Sequence, residues 1–185
     1  CGVNRSITNY TLPLIEKVVN DSSTDGYDDL TSNGYVYAEM QSGKARVVAG
    51  VNTAETGNNV TEDMQHIEFI QIMDMNAKDI RDVFINNYRG AYKNNYDRQL
   101  VFIAAINSYF AGQADDEILD PNFSNVCDVD VDSQRNAWIA KGKSEAEDWD
   151  DGKVKLMSYG RKVFLKANIK PCQSMEDMTM YITLE

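Results

Sequence analysis

General acid–base chemistry needs a group tuned near neutral pH and a partner that orients it. The chain has one histidine, His66. It stands among Met64, Gln65, Ile67 and Glu68 with no second histidine spaced for a metal, and it reads as an ordinary, partly exposed side chain. Cys1, Cys127 and Cys172 are odd in number and far apart, which suits free thiols better than a disulfide framework. A zinc site would have to gather isolated cysteines and carboxylates. Asp128, Asp130 and Asp132 have the alternate spacing that opens a calcium loop. Ser133 stands where that loop needs glycine, however, and Ile139 where it needs a bidentate glutamate. The three read as an acidic lead into a helix. Asp115-Asp116-Glu117 and the Glu147–Asp151 run read as solvated faces. Met175, Met178 and Met180 suit core filling or a contact surface better than a soft-metal site. Ser42-Gly43-Lys44 lacks the rest of a phosphate loop and reads as a hairpin turn. No catalytic residue, metal ligand or cofactor is expected.

The 185 residues suit one domain with at most a small appendage. Asp and Glu number 29 against 18 Lys and Arg, for a net charge of -11. That balance argues against a nucleic-acid binder and against a polybasic membrane-surface module. No apolar run is long enough to span a bilayer. The chain opens on Cys1, so it reads as a fragment or a processed product, and no signal peptide is expected. The Asn-x-Ser/Thr triplets at Asn4, Asn9, Asn20, Asn59 and Asn122 read as chance matches in an Asn-rich chain.

Residues 1–33 are polar and turn-rich. Their cluster Leu12, Leu14, Ile15, Val18 and Val19 suits either a helical turn or a strand, and Asn20–Asp29 reads as loop. Gly34–Met40 and Ala45–Val51 flank a Gly-containing turn and predict a β-hairpin. Ile70, Met73, Ala77, Ile80, Phe84 and Tyr88 recur at helical spacing and predict a helix within 64–89, stopped by Gly90. Its start falls late if His66–Ile72 is strand. Lys78 lies four residues from both Asp74 and Asp82, which suits helical ion pairing. A second helix fits 96–111, with Asn94, Asn95 or Asp97 as cap. Its expected buried stripe is Leu100, Val101, Ala104, Ala105 and Ser108. Residues 113–132 read as an acidic linker. A short helix fits 133–141 with Ser133 as cap, and Ser144 with Glu147 reads as a capping box. Asp150-Asp151-Gly152 reads as a turn. Alternation predicts strands over 154–158, 163–169 and 178–184. The order predicts an α+β domain: a mainly antiparallel or mixed sheet with two long helices packed on one face, plus short helices and a terminal strand.

The ordered segments resemble the carboxy-terminal domain of contractile phage tail sheath proteins, also found in phage-like contractile particles of bacteria. The match begins at Gly34-Tyr35-Val36 and runs through Gly43–Thr53. It continues in Ile72–Met75, Asp79-Ile80-Arg81, Phe84, Tyr88–Ala91 and Asn94-Asn95. Arg98-Gln99-Leu100, Ala104–Phe110, Leu119-Asp120-Pro121, Val129-Asp130-Val131 and Gln134-Arg135 follow. Val163–Ala167, Lys170-Pro171 and Met175–Met178 close it. The resemblance covers residues 34–185 and leaves 1–33 as the stretch joining missing upstream sheath domains.

It implies a structural, non-enzymatic subunit of a virion tail or phage-like particle, assembled in the bacterial cytoplasm. The partners it implies are copies of the same chain, stacked as six-fold rings, and a tail tube protein. Neither nucleic acid nor direct membrane insertion is implied. Contraction of the sheath drives the tube through the bacterial envelope. Terminal arms of neighbouring subunits add strands to this domain's sheet. The interface candidates are then Met178, Met180, Ile182 and Leu184 on the arm, with Val163, Leu165, Tyr35 and Tyr37 on acceptor strands. An isolated domain is expected to be monomeric. Relatives often carry basic residues near the positions of Glu68 and Gln71, and this chain does not. Two other readings are an envelope- or receptor-binding module, suggested by exposed aromatics, and an acidic-residue hydrolase.

Overall fold

The structure is a computed structural model, and it describes residues 3–19, 27–57 and 60–183. Of the expected loop Asn20–Asp29, residues 20–26 lie outside the described residues, as does the candidate Leu184, and Tyr27–Asp29 open a short helix instead. Two compact units divide the chain: Cys1–Met75 with Gln173–Glu185, and Asn76–Cys172. The class is α+β, with antiparallel pairing throughout the named strands.

The first unit holds the hairpin. Strands β1 (Ala38–Gln41) and β2 (Lys44–Val47) pair with Gln41 opposite Lys44, and Ser42-Gly43 makes the turn. Both turn residues have positive φ, 50° and 76°, as a tight two-residue hairpin turn requires. The short helix α1 (Tyr27–Ser32) precedes it. Gly34 leads into β1 with φ 77°, and a Cβ there would stand 2.1 Å from the Asn52 carbonyl oxygen. Only glycine fits that approach. The cluster around Leu12 resolves as extended chain along β2. Leu12 N–H donates to Ala45 C=O (2.8 Å), Val47 N–H to Tyr10 C=O (3.0 Å) and Asn9 N–H to Val47 C=O (2.8 Å). Ala45, Val47, Val51 and Ile72 are the buried apolar side chains of this unit.

Helix α2 (Ile67–Val83) starts near the early end of the expected 64–89, so Ile67–Ile72 is helix and the strand reading of His66–Ile72 does not hold. A π-helical turn, Phe84–Tyr88, closes it, and Gly90 follows with φ 79°. Ile70, Ile80, Phe84 and Tyr88 are half-buried as the stripe predicts, but Met73 and Ala77 are exposed. Glu68, Ile72 and Asn76 form the deeper line instead. Lys78 pairs with Asp82 at 2.7 Å.

In the second unit, helix α3 (Tyr96–Asp115) is capped by Asn95, whose side chain accepts from Arg98 N–H. The expected stripe of Leu100, Val101, Ala104, Ala105 and Ser108 lies outward, with Leu100 and Val101 41% and 51% exposed. The buried face is Gln99, Phe102, Ile103, Ile106, Phe110 and Gln113. That set has the same spacing but carries larger aromatic and branched side chains, so it removes more apolar area from water. Phe102 stacks against Phe84 and Tyr88 at 5.6 and 4.5 Å.

Strand β3 (Val126–Val129) pairs antiparallel with β4 (Leu165–Asn168). Cys127 and Val129 point to the core, and α3 packs on β3. Helix α4 (Val131–Ala140) is capped by Asp130, three residues ahead of the expected Ser133. Ser133 donates its N–H and its hydroxyl to the Asp130 carboxylate at 3.0 and 2.6 Å. Ser144–Asp148 forms a 3₁₀ turn without the expected side-chain cap. The strand expected over 154–158 is absent. Helix α5 (Asp151–Leu156) stands there, capped by Asp150, which accepts from Lys153 N–H. Five alternating residues fit one helical turn as well as a strand, and a cap decides between them. Val154 is then fully buried with Ala146 and Trp149. Trp138 packs edge-on against Trp149 at 6.2 Å, and Gln134 donates to Val154 C=O at 2.6 Å.

The terminal strand expected over 178–184 is not formed: residues 178–183 carry no regular secondary structure, and no strand among the described residues pairs with them. The physical reason is that an isolated strand gains nothing from its backbone until another edge meets it.

Asn107 of α3 closes the outer edge of β3. Its side chain accepts from Cys127 N–H at 2.7 Å and donates to Cys127 C=O at 3.2 Å. We expect Asn107→Ala to leave both groups unpaired and to cost about 1–3 kcal/mol in urea unfolding; a loss near zero would show that the edge needs no cap. Tyr109 donates to Asp79 at 2.7 Å. Partial burial, helped by that bond and the nearby negative charge, pushes its phenol up to about 12. The unfolded chain releases this proton first, so stability falls as pH rises from about 10 toward 12. An ultraviolet titration should show one tyrosine ionising near the upper value, and Asp79→Asn should lower it.

Candidate assembly surface

The acidic residues that could have held a cation are engaged in structural work. Asp128 pairs with Lys155 at 2.5 Å. Burial disfavours its charge, but the Lys155 and Val129 hydrogen bonds prevail and hold its carboxyl below the usual range. Asp130 is held low by its Ser133 bonds, and Asp132 sits 3.4 Å from Arg135. Among the described residues no group of three metal-ligating side chains converges. His66 is half-buried and forms a bridge with Val51. Cys127 is buried, and burial pushes its thiol up to about 11, which makes it a poor nucleophile.

What remains is backbone and apolar surface. The arm is rooted by a buried carboxylate. Glu68, 8% exposed, accepts from Ser174 N–H at 3.1 Å and from the Ser174 hydroxyl at 2.9 Å. Ser6 N–H donates to the same hydroxyl oxygen at 3.1 Å, and Gln173 donates to Asp63 at 2.7 Å. Beyond that root the side chains are bare. Met178, Met180 and Ile182 are 82%, 65% and 75% exposed, and Tyr181 is 91% exposed. Apolar side chains exposed in a row are the kind of surface that can receive another molecule.

The second feature is the outer edge of β4. Cys127 turns its N–H and C=O toward Asn107, away from β4. Its partner across the ladder is Ala167. In an antiparallel pair the residues opposite one another point their backbone groups the same way, both inward or both outward. Ala167 therefore faces outward, and Leu165 shares its parity. No strand among the described residues pairs with that edge.

Of the other candidates, Tyr35 is exposed, while Tyr37 is half-buried and accepts from Val48 N–H through its carbonyl. Their hairpin has its β2 edge covered by Asn9–Leu12. Val163 and Leu165 are half-buried. The arm, Tyr35 and Tyr37 belong to the first unit, and Val163 and Leu165 to the second. Sequence reasoning missed the Glu68–Ser174 root and the Asn107 cap. A glutamate and an asparagine on otherwise apolar helix faces were the available signal.

Comparison with known proteins places this surface in context. A family model described as the phage tail sheath C-terminal domain matches residues 59–185. The tail sheath protein of Clostridium phage phiCD119 is 28% identical over 186 aligned residues, covering 97% of this chain and 50% of the relative. The chain thus spans about half the length of that curated relative. The crystal structure of a sheath tail protein from Desulfitobacterium hafniense superposes with a TM-score of 0.60 at 17% identity, over 70% of this chain and 31% of the other. The cryo-EM structure of the anti-feeding prophage baseplate gives 0.68 at 13% identity, over 99% and 45%.

Removing the carboxylate that roots the arm should free it. In Glu68→Ala, hydrogen exchange at the Ser174 and Ser6 amides is expected to quicken about tenfold, since one lost buried bond is worth about 1–2 kcal/mol. Exchange at Cys127 should not change. Equal exchange at Ser174 in both proteins would show that the arm is held by something else.

Proposed function

Since the chain belongs to the family of phage tail sheath C-terminal domains, we propose that it serves as the assembly module of a structural tail sheath subunit, in a phage or a phage-like particle. Its task is mechanical, and it needs no cofactor. The observation that supports this reading is a single pairing of unmet needs: one chain carries both a bare apolar arm and an unpaired strand edge.

The arm of one copy, Met178–Leu184, adds to the β4 edge at Leu165 and Ala167 of the next. Main-chain hydrogen bonds hold the copies, and alternate side chains Met178, Met180, Ile182 and Leu184 face one side. Such a joint tolerates reorientation, because the arm is a hinge while the ladder stays intact. Copies joined this way stack as six-fold rings around a tail tube, assemble in the bacterial cytoplasm, and contract to drive the tube through the envelope. Val163 flanks the acceptor edge. Tyr35 and Tyr37 stand beside β1, whose outer side pairs with no further strand among the described residues and suits a further contact. Residues 1–33 connect the module to the upstream sheath domains.

The full-length protein carrying this domain should form hollow six-fold tubes by electron microscopy. Ala167→Pro in that protein removes one outward N–H from an edge strand, where proline is tolerated. It is expected to abolish tubes while the melting temperature of the isolated chain shifts by no more than about 2–4 °C per kcal/mol lost. Tubes that persist in Ala167→Pro, or a wild-type protein that stays monomeric under assembly conditions, would overturn strand addition at β4.

A further inference from the structure

The net charge of -11 hides a concentration of the opposite sign. Where α2 gives way to α3, Arg89, Lys93, Arg98 and Arg161 line a cleft of about 120 Å³, together with Tyr88, Phe102 and Val163. No carboxylate lines it. Among the described residues none of these four cations makes an ion pair, although Lys78, Arg135, Lys143, Lys155 and Lys170 all do. The fold helps to position two of them, Arg161 and Arg98. The Asn94 side chain donates to Gly160 C=O at 3.1 Å and Lys162 C=O at 2.9 Å, pinning the turn that carries Arg161. Arg98 lies over the Tyr92 ring at 5.4 Å. Gln99, 3% exposed, also lines the cleft, and its Oε1 has no hydrogen-bond partner. Like charges gathered around one cleft repel, and a chain rich in carboxylates leaves this repulsion unrelieved.

We propose that this cleft receives the segment Met175-Glu176-Asp177-Met178 of a second copy of the chain. An occupant must offer carboxylates to the guanidinium groups and apolar atoms to the aromatic lining. In this segment both kinds of group are free: Met175 and Met178 are 101% and 82% exposed, and Glu176 and Asp177 are exposed between them. Among the described residues, two other acidic runs without an ion pair, Asp115-Asp116-Glu117 and Glu147-Asp148, lie beside apolar residues that are already buried, Ile118 in the first case and Ala146 and Trp149 in the second. They can offer charge alone. Thioethers contact aromatic rings favourably, and Arg–carboxylate pairs add direction. The placement of the arm rests on the strand-addition reading; the match of charge and apolar groups does not. Arg161 and Val163 directly precede β4. An arm running parallel to β4 therefore brings Glu176 and Asp177 beside the cleft as Met178 and the residues after it reach Leu165–Ala167. The acidic pair then sets register and direction, which a bare ladder specifies poorly.

The test is fluorescence anisotropy of a labelled peptide of residues 172–185, titrated with the 185-residue chain. Reversing Glu176 and Asp177 to lysine in the peptide should weaken binding about tenfold or more, and so should Arg161→Glu with Arg89→Glu in the chain. Combining reversed peptide with reversed chain should restore binding, and Met175→Ser with Met178→Ser should weaken it several-fold. Raised salt should weaken the wild-type pair. Absence of rescue in the charge swap, or stronger binding of a 113–119 peptide competing for the cleft, overturns the proposal. A peptide of residues 179–185 separates the two readings through amide protection at Leu165 and Ala167. Protection with no charge-swap effect leaves strand addition standing and removes the cleft. A charge swap that works without such protection keeps the cleft and removes strand addition.

Discussion

A strand edge is half of a hydrogen-bond ladder, and the other half must come from somewhere. That demand organises this chain more than any side-chain chemistry does. At β2 the chain meets it with its own Asn9–Leu12. At β3 it meets it with one side chain, Asn107, which imitates a neighbouring strand at Cys127. At β4 no strand of the same chain meets it among the described residues. Long exposed edges invite indiscriminate pairing, and at β4 the open edge is only four residues long and carries Lys166, which discourages casual partners.

The arm poses the complementary problem. Its apolar side chains cost free energy in water, yet its root is fixed by two half-buried hydrogen bonds from Ser174 to the buried Glu68 carboxylate. A rooted but unpaired segment loses less conformational freedom on capture than a wholly free one. Among the described residues, the hydrogen bonds of the arm thus gather at its base. The acidic pair just beyond the root is exposed as well, and the cations gathered around Asn94 make no ion pair among the described residues.

Much of this could be read from residue order, and the exceptions have physical causes. The hairpin was legible because Ser42-Gly43 sits between two β-rich runs, and the helices because apolar positions recur at the right period. On α3 the period was right but the face was not. Leu100 and Val101 are apolar, but Phe102, Ile106 and Phe110 bury more area one position further on. Val154 looked like strand because a short alternation carries no information about helix, and the Asp150 cap was the deciding signal. The alternation over the arm predicted a strand that the structure does not form, because a strand exists only where a second edge is present. The candidate surface was half legible: the bare side chains were found, whereas the outward turn of Ala167 depends on where Asn107 lies in space.

The chain's two tryptophans, Trp138 and Trp149, stand edge to face in one small cluster, ringed by Lys141, Lys143 and Lys153. Intrinsic emission is therefore a local witness. It follows the corner where α4, the 3₁₀ turn and α5 meet, and is blind to the hairpin and to the arm's root. A melting curve read at tryptophan wavelengths would describe that corner alone, and an experimenter following the first unit would need a dye or an isotope placed there.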